Sequence, residues 1–491
     1  MMWTRRELIR LGALSLLAPR CITARSDRGA WVNDVHSGLN PTWVSDIETP
    51  ESADQVQDLV RHAASRGRPL AIAGRRHAMG GQQFRSDATL INIRGLNRVL
   101  ELDSTNGIVD VESGVEWPEL IEFLVEHQQG RDEQWGIAQK QTGADRLTMG
   151  GALAANIHGR GLRMKPFIAD VESFVLITAD GTAVRCSRTE NRELFSLAFG
   201  GYGLFGVVTS MRLRLVPRQK LERVVEIQET DGLMDSFERR IADDYTYGDF
   251  QFSIDQSSEN YLRRGIFSCY RPVPLETPIP ETQRELGDDD WRALFLLAHA
   301  DKAQAYERYA SYYLGTSGQI YWSDLHQLSV YIDDYHRYVE VATKAREKAS
   351  EIITEIYVPR TRLADFLEEV REDFLRNEVD LIYGTIRLIE RDDESFLAWA
   401  REPFACTIFN LHAEHSSEGL RNVGDAFRRL IAMAIRRGGS YFLTYHREAT
   451  REQVEMCYPR FAAFLEKKRE HDPGEIFQSD WYAHYRRMFS T

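Results

Sequence analysis

The chain has 491 residues, of which 43% are hydrophobic and 27% charged. That balance excludes a disordered or fibrous chain, and the length allows two or three globular domains. A formal charge of −13 argues against a nucleic-acid binder, which needs a basic stripe.

The first segment reads as an address. Thr4-Arg5-Arg6-Glu7-Leu8-Ile9-Arg10 precedes a short apolar run, Leu11 to Ala18. That run is too short to span a bilayer as a helix. A charged start, an apolar middle and a small-residue end describe a secretory signal, and the paired arginines narrow the route to twin-arginine export. A basic amphipathic helix is the alternative. Residues 1–30 are therefore expected to be a signal region of a periplasmic protein, cleaved near Ala24. The five cysteines, Cys21, Cys186, Cys269, Cys406 and Cys457, have no disulfide or zinc spacing and read mostly as buried small residues. With no CxxC or HExxH pattern, no metal is expected.

Ser52 to Arg66 places Val56, Leu59, Val60 and Ala63 on one helical face. Next, the apolar run Leu70 to Ala73 empties into Gly74-Arg-Arg-His-Ala-Met-Gly-Gly81. Glycines let a backbone approach a ligand, and successive N–H groups in such a turn form a nest suited to a diphosphate. A phosphate loop does not need its histidine, His77. Asp87 to Ile93 and Val109 to Val115 read as strands, and Trp117 to His127 as a helix. Thr148 to Gly161 is a run of small residues and glycines. Val171 to Thr178 and Ala183 to Cys186 form a hairpin around Ala179-Asp-Gly181. Phe199-Gly-Gly-Tyr-Gly-Leu-Phe-Gly206 is a third glycine turn, feeding a strand from Val207 to Val216.

From about residue 218 the rhythm changes. Longer strands alternate with helices such as Arg362 to Arg376 and Gly424 to Arg437, and an acidic, proline-bearing linker runs from Pro272 to Asp290. Alone, this says only a second α+β domain. The tail carries a strand at Tyr441 to Tyr445, a helix at Arg451 to Lys468, and Asp472-Pro-Gly-Glu-Ile-Phe477.

The three glycine segments, in this order, resemble the FAD domain of the vanillyl-alcohol oxidase/p-cresol methylhydroxylase flavoproteins (the PCMH-type domain), nearest to sugar-alcohol and aldonolactone oxidases. The resemblance covers roughly Trp43 to Pro217, with a short return near the C-terminus. It implies an α+β fold: a two-subdomain FAD-binding domain at 40–217, an antiparallel-sheet cap or substrate domain at 218–436, and a return to the FAD domain at 437–491. It implies FAD held by Gly74, Arg75, Arg76, His77, Ala78, Met79, Gly80 and Gly81, then by Gly143, Met149, Gly150, Gly151, Asn156, His158 and Gly161, and by Gly203, Gly206 and Val208. In the family the first-loop histidine often carries the flavin covalently. His77 stands there, the alternative being a histidine bonded within its turn. No cysteine lies between Gln139 and His158, so one covalent link at most is expected.

Ile382 to Ile389 is strand-like, and alternation puts Thr385 and Arg387 on one face. The polyol and lactone oxidases carry Glu-x-Arg at a comparable cap position, facing the flavin. Here Thr385 replaces the glutamate. Arg387 is thus a catalytic candidate or a surface strand cation. His412 in Asn410-Leu-His-Ala-Glu-His415, Tyr445 and His446 are the other catalytic candidates, or packed core groups. The expected function is a hydride-transferring FAD oxidoreductase acting on a CH–OH group of a sugar, polyol or lactone-like alcohol. Oxygen or another acceptor reoxidises it. Two rivals stand: a dehydrogenase or reductase of the same fold acting on a steroid, lipid-linked sugar or C=C bond, and a non-catalytic exported flavin-binding protein.

Overall fold

The computed structural model describes residues 29–329, 332 and 335–490. The arginine pair, the apolar run after it, Cys21 and Ala24 lie outside them. No helix among the described residues is long and apolar enough to cross a membrane.

The N-terminal half builds two main sheets beside two small two-stranded ones. In the first, the strands Asp46–Glu48, Thr89–Asn92 and Leu70–Ala73 run parallel, with Thr89–Asn92 central. The helix Ala53–Arg66 buries Val56, Val60 and Ala63; Ser52 caps its start and left-handed Gly67 ends it. The second sheet has five antiparallel strands, in the order Ala183–Ser187, Val171–Ile177, Val207–Arg214, Ile108–Glu112 and Val99–Asp103. On Val207–Arg214 every second residue is buried, the period-two pattern visible in the sequence.

The rest of the chain builds an eight-stranded antiparallel sheet. Its central strands are Tyr247–Phe252, Leu381–Ile389, Phe404–Glu414 and Ala349–Pro359, adjacent in that order. One face is covered by the helices Leu363–Arg376 and Ser417–Ile435. The class is mixed helix and sheet, as expected. The tail touches both halves. Ser440–Tyr441 adds an edge strand to Ala349–Pro359. Further on, Leu70 N–H donates to Ile476 (2.7 Å) and Gln478 N–H donates to Leu70 (2.8 Å), so the C-terminus flanks the parallel sheet.

Two element boundaries differ from expectation. The Gly424 to Arg437 helix begins seven residues earlier, at Ser417, because the Ser416 hydroxyl accepts from Gly419 N–H and caps a longer helix. The Arg451 to Lys468 helix is two helices, Arg451–Cys457 and Phe461–His471. Pro459 lacks an N–H and pushes Tyr458 out of helical geometry, to φ −128° and ψ 76°.

Candidate active site

A cavity of about 570 Å³ lies between the glycine-rich loops and the large sheet. Residues 74–78, 141–144, 147–148, 150–155 and 201–206, together with Val208, form one wall. The backbone comes close there. A Cβ at Gly74 would sit 2.2 Å from the Thr148 hydroxyl, and one at Gly206, at φ +149°, would sit 2.4 Å from the Ile177 carbonyl. Glycine alone fits both places. Gln83 Oε1 and Gln141 Nε2 line this space as buried polar atoms without hydrogen-bond partners among the described residues. A buried polar atom is costly when unpaired, so such atoms mark a ligand wall. An elongated wall of approachable backbone, with arginines and unpaired polar atoms on it, fits the expected FAD.

His77 lines the cavity with a defined tautomer. Its Nε2 lies 3.1 Å from the Arg146 carbonyl oxygen, which can only accept, so Nε2 carries the proton. Nδ1 then holds the lone pair, which accepts from His36 Nε2 at 2.9 Å. Burial first, then the neighbouring His36 charge, lower the His77 pKa to about 3. At neutral pH the ring is uncharged, the protonation state a nucleophile needs.

The opposite wall is one face of the large sheet. Arg387 pairs with Cys406, and Cys406 with Tyr357. Two residues along, Thr385 pairs with Ile408 and Ile408 with Glu355; two further, Tyr383 pairs with Asn410 and Asn410 with Ile353. Directly paired residues share a face, and the period of two keeps these rows together. Arg387 is 6% exposed, and its Nε has no hydrogen-bond partner among the described residues.

Glu355 is the residue that sequence reasoning missed. It is buried, paired with His158 Nε2, and accepts from the Cys406 thiol at 2.6 Å. Burial raises its pKa, but His158, Cys406 and Arg387 outweigh that and hold it below the ordinary carboxylate value. His158 Nδ1 faces the Gly159 carbonyl at 3.0 Å, which turns Nε2 toward Glu355. Glu355 thus places a carboxylate two strands away from Thr385 on the same face of the sheet. Tyr445 lines the same cavity, and burial, then Glu355, push its phenol well above 10.

Several expected residues sit elsewhere. Met79 is buried in the core, and its carbonyl accepts from Asn40. Gly80 and Gly81 turn the chain toward the tail: Gly80 N–H donates to the Thr444 carbonyl, and Gly81 takes φ +77°. Met149 is fully buried. Asn156 ends the helix Met149–Ala155 in a left-handed conformation and bridges Asp392 and Ile168 through its amide, which makes it a structural clamp. Gly161 pairs with Tyr247, and a Cβ there would strike Met164. None of these six lines the cavity. Gly203 does, with Gly74, Arg75, Arg76, His77, Ala78, Gly143, Gly150, Gly151, His158, Gly206 and Val208. Arg75 also ion-pairs with Glu116. His412 is half-buried, 3.1 Å from Glu351 Oε1.

His446 corrects the catalytic set. It is bonded to the Thr354 hydroxyl at 2.9 Å and stacked on Phe427, on the sheet face away from the cavity. Thr354 alternates with Glu355, so the two side chains point oppositely. Burial lowers the His446 pKa to about 3. Between about 6.5 and 3 the unfolded chain binds a proton there that the folded chain does not. Stability is therefore complete above 6.5 and falls, by about 1.4 kcal/mol per pH unit for this group, as pH drops toward 3. His446→Gln should flatten the decline of melting temperature between pH 6 and 4; an unchanged slope would show that other groups carry it.

Comparison with known proteins agrees with this architecture. Residues 47–187 match the FAD binding domain family. The L-gulono-1,4-lactone dehydrogenase of Mycobacterium tuberculosis (strain ATCC 25618 / H37Rv) is 24% identical over 440 residues, 89% of this chain and 95% of that protein. Cytokinin dehydrogenase 9 of Oryza sativa subsp. japonica is 23% identical over 452 residues, 87% of this chain and 83% of its own. The L-gulonolactone oxidase of Bos taurus is 25% identical over 193 residues, 39% of this chain and 42% of its own. With its glycine-walled cavity and these relatives, the chain is an FAD-dependent enzyme and belongs to the vanillyl-alcohol oxidase/p-cresol methylhydroxylase superfamily of oxidoreductases.

Proposed function

We propose that the enzyme oxidises a secondary or primary alcohol of a sugar, polyol or aldonolactone. The observation that carries this reading is a set of unpaired polar atoms in one cavity. Asp249 Oδ1, Gln251 Oε1, Arg160 Nε, Arg387 Nε and Asn410 Oδ1 are buried without hydrogen-bond partners among the described residues, and all five residues line it. A polyhydroxylated substrate supplies both donors and acceptors to such a set. The gulonolactone relatives, whose names describe such chemistry, support it.

FAD, when bound, accepts the hydride from the carbon bearing the hydroxyl. The loops 74–78, 141–151 and 201–206 would hold it. Glu355, kept ionised by His158 and Arg387, takes the hydroxyl proton. Arg387 faces the developing alkoxide. A second reading, a flat and mostly apolar ring substrate, is favoured by Trp291, Phe295, Tyr306, Tyr309 and Tyr313 on the same cavity. Anaerobic bleaching of the flavin by a panel of polyols, aldoses, lactones and aromatic alcohols decides. Bleaching by the aromatic compounds alone would overturn the sugar reading. Peroxide release on readmitting air then separates an oxidase from a dehydrogenase.

His77 is the covalent flavin attachment in this proposal, supported by its uncharged ring and its place on the cavity wall. Acid precipitation should leave the protein yellow, and His77→Asn should release all flavin into the supernatant. Free flavin from the parent protein would end the covalent claim and leave FAD binding intact. Export is proposed to follow the twin-arginine route, which carries folded, cofactor-loaded proteins. Changing Arg5 and Arg6 together to Lys should hold the protein in the cytoplasm. Normal periplasmic arrival of that variant would rule the route out.

A further inference from the structure

We propose that His299, His336, His412 and Glu351 form a binding site for a divalent transition cation of the zinc class. They lie far apart in sequence and meet at the end of the cavity away from Arg387. Glu351 is buried, with its side chain 4% exposed. His299 Nε2 and His412 Nδ1 approach its Oε1 at 2.8 and 3.1 Å. His336 Nδ1 approaches its Oε2 at 2.7 Å, and the Tyr335 hydroxyl donates to the same oxygen at 2.6 Å.

His299 has the form of a metal ligand. Its Nδ1 lies 2.8 Å from the Phe295 carbonyl oxygen one helical turn back, so Nδ1 carries the hydrogen. In the neutral ring Nε2 is then a lone pair, and it points at a carboxylate oxygen. Two acceptors then face each other at hydrogen-bond distance, and either a metal cation or a second ring proton must lie between them. Metal-bound histidines characteristically donate their other ring N–H to a backbone carbonyl in this way. Three imidazole nitrogens and one carboxylate match the ligand types and number that zinc takes. His299, His412 and Glu351 already hold their ligand atoms within 4.8 Å of one another, and His336 reaches the group through the other oxygen of Glu351.

The site is distinct from the proposed catalytic pair. Glu351 and Glu355 share one strand face four residues apart, about 13 Å along the strand. His299, Tyr335 and Glu351 line the cavity, so the cation would sit at its edge. The alternative occupant is a proton, with His299 as an imidazolium on Glu351.

The test uses tag-free, flavin-loaded protein, stripped with a chelator and re-equilibrated with zinc ions alone. Elemental analysis should find about one zinc per chain, and zinc should raise the melting temperature. His412→Ala and Glu351→Gln should each weaken retention by more than about 10–100-fold, the loss typical of removing only a supporting partner. Flavin content and circular dichroism check the fold. Should Glu351→Gln fail to fold, His336→Ala, on a half-buried helix, carries the test. Substoichiometric zinc on the folded parent, or unaltered retention in His336→Ala and His412→Ala, overturns the site in favour of the proton-held cluster.

Discussion

Glu355→Gln should slow flavin reduction by about 10²–10⁴-fold, the usual contribution of a positioned general base. The substitution keeps the side-chain volume and removes only the charge, so FAD should remain bound with a nearly unchanged spectrum. Glu355 is suited to the task because it is buried yet ionised. Burial alone would raise its pKa, but the contacts with His158, the Cys406 thiol and Arg387 bring it below the ordinary value. The active form is therefore present at neutral pH and is lost only as pH falls through that lowered value. Removing the partner in His158→Asn should raise the Glu355 pKa and move the acidic limb of the reduction rate to higher pH. Stopped-flow reduction under anaerobic conditions reads both effects. A Glu355→Gln enzyme reduced at the parent rate would move the base to another group of the same wall.

Arg387→Met should slow the same step by about 10²–10³-fold, the typical worth of a fixed charge aimed at developing charge. The guanidinium is almost fully buried with Nε unpartnered among the described residues, so it is placed for a ligand at some cost to the free protein. It has a second effect: it helps hold Glu355 ionised. Loss of Arg387 should therefore lower the rate and also shift the acidic limb upward. Arg387→Lys, which keeps the charge but not the planar fork, should recover the limb more fully than the rate. A normal rate in Arg387→Met would make the residue a structural strand cation.

Much of the glycine-rich cavity wall is legible in the amino-acid sequence. The Gly74 to Gly81 turn, the small residues from Thr148 and the Phe199 to Gly206 turn are local patterns, because positive φ and close backbone approach require glycine wherever they occur. The helix Ala53–Arg66 and the strand Val207–Arg214 follow from period and caps for the same reason. Individual positions inside those segments are less legible. Gly161 and Asn156 have the residue types of flavin contacts, but tight packing against Met164 and a bridge to Asp392 account for them instead, and only packing distinguishes the two uses.

The sequence by itself determined the mixed helix-and-sheet class, the glycine-rich loops of the cavity wall, and Thr385 and Arg387 as neighbours on one strand face, since each depends on residues close in the chain. The tertiary structure decided the chemistry at the opposite wall. Strand order sets Leu381–Ile389, Phe404–Glu414 and Ala349–Pro359 side by side, which brings Glu355 to Arg387 from 32 residues away. No periodicity records that pairing. It likewise turned His446 from the cavity into the core behind the sheet, because a one-residue step along a strand reverses the face. It also gathered His299, His336 and His412 around Glu351. Local pattern is written by the backbone's own geometry, whereas the meeting of distant side chains is set only when sheet register closes.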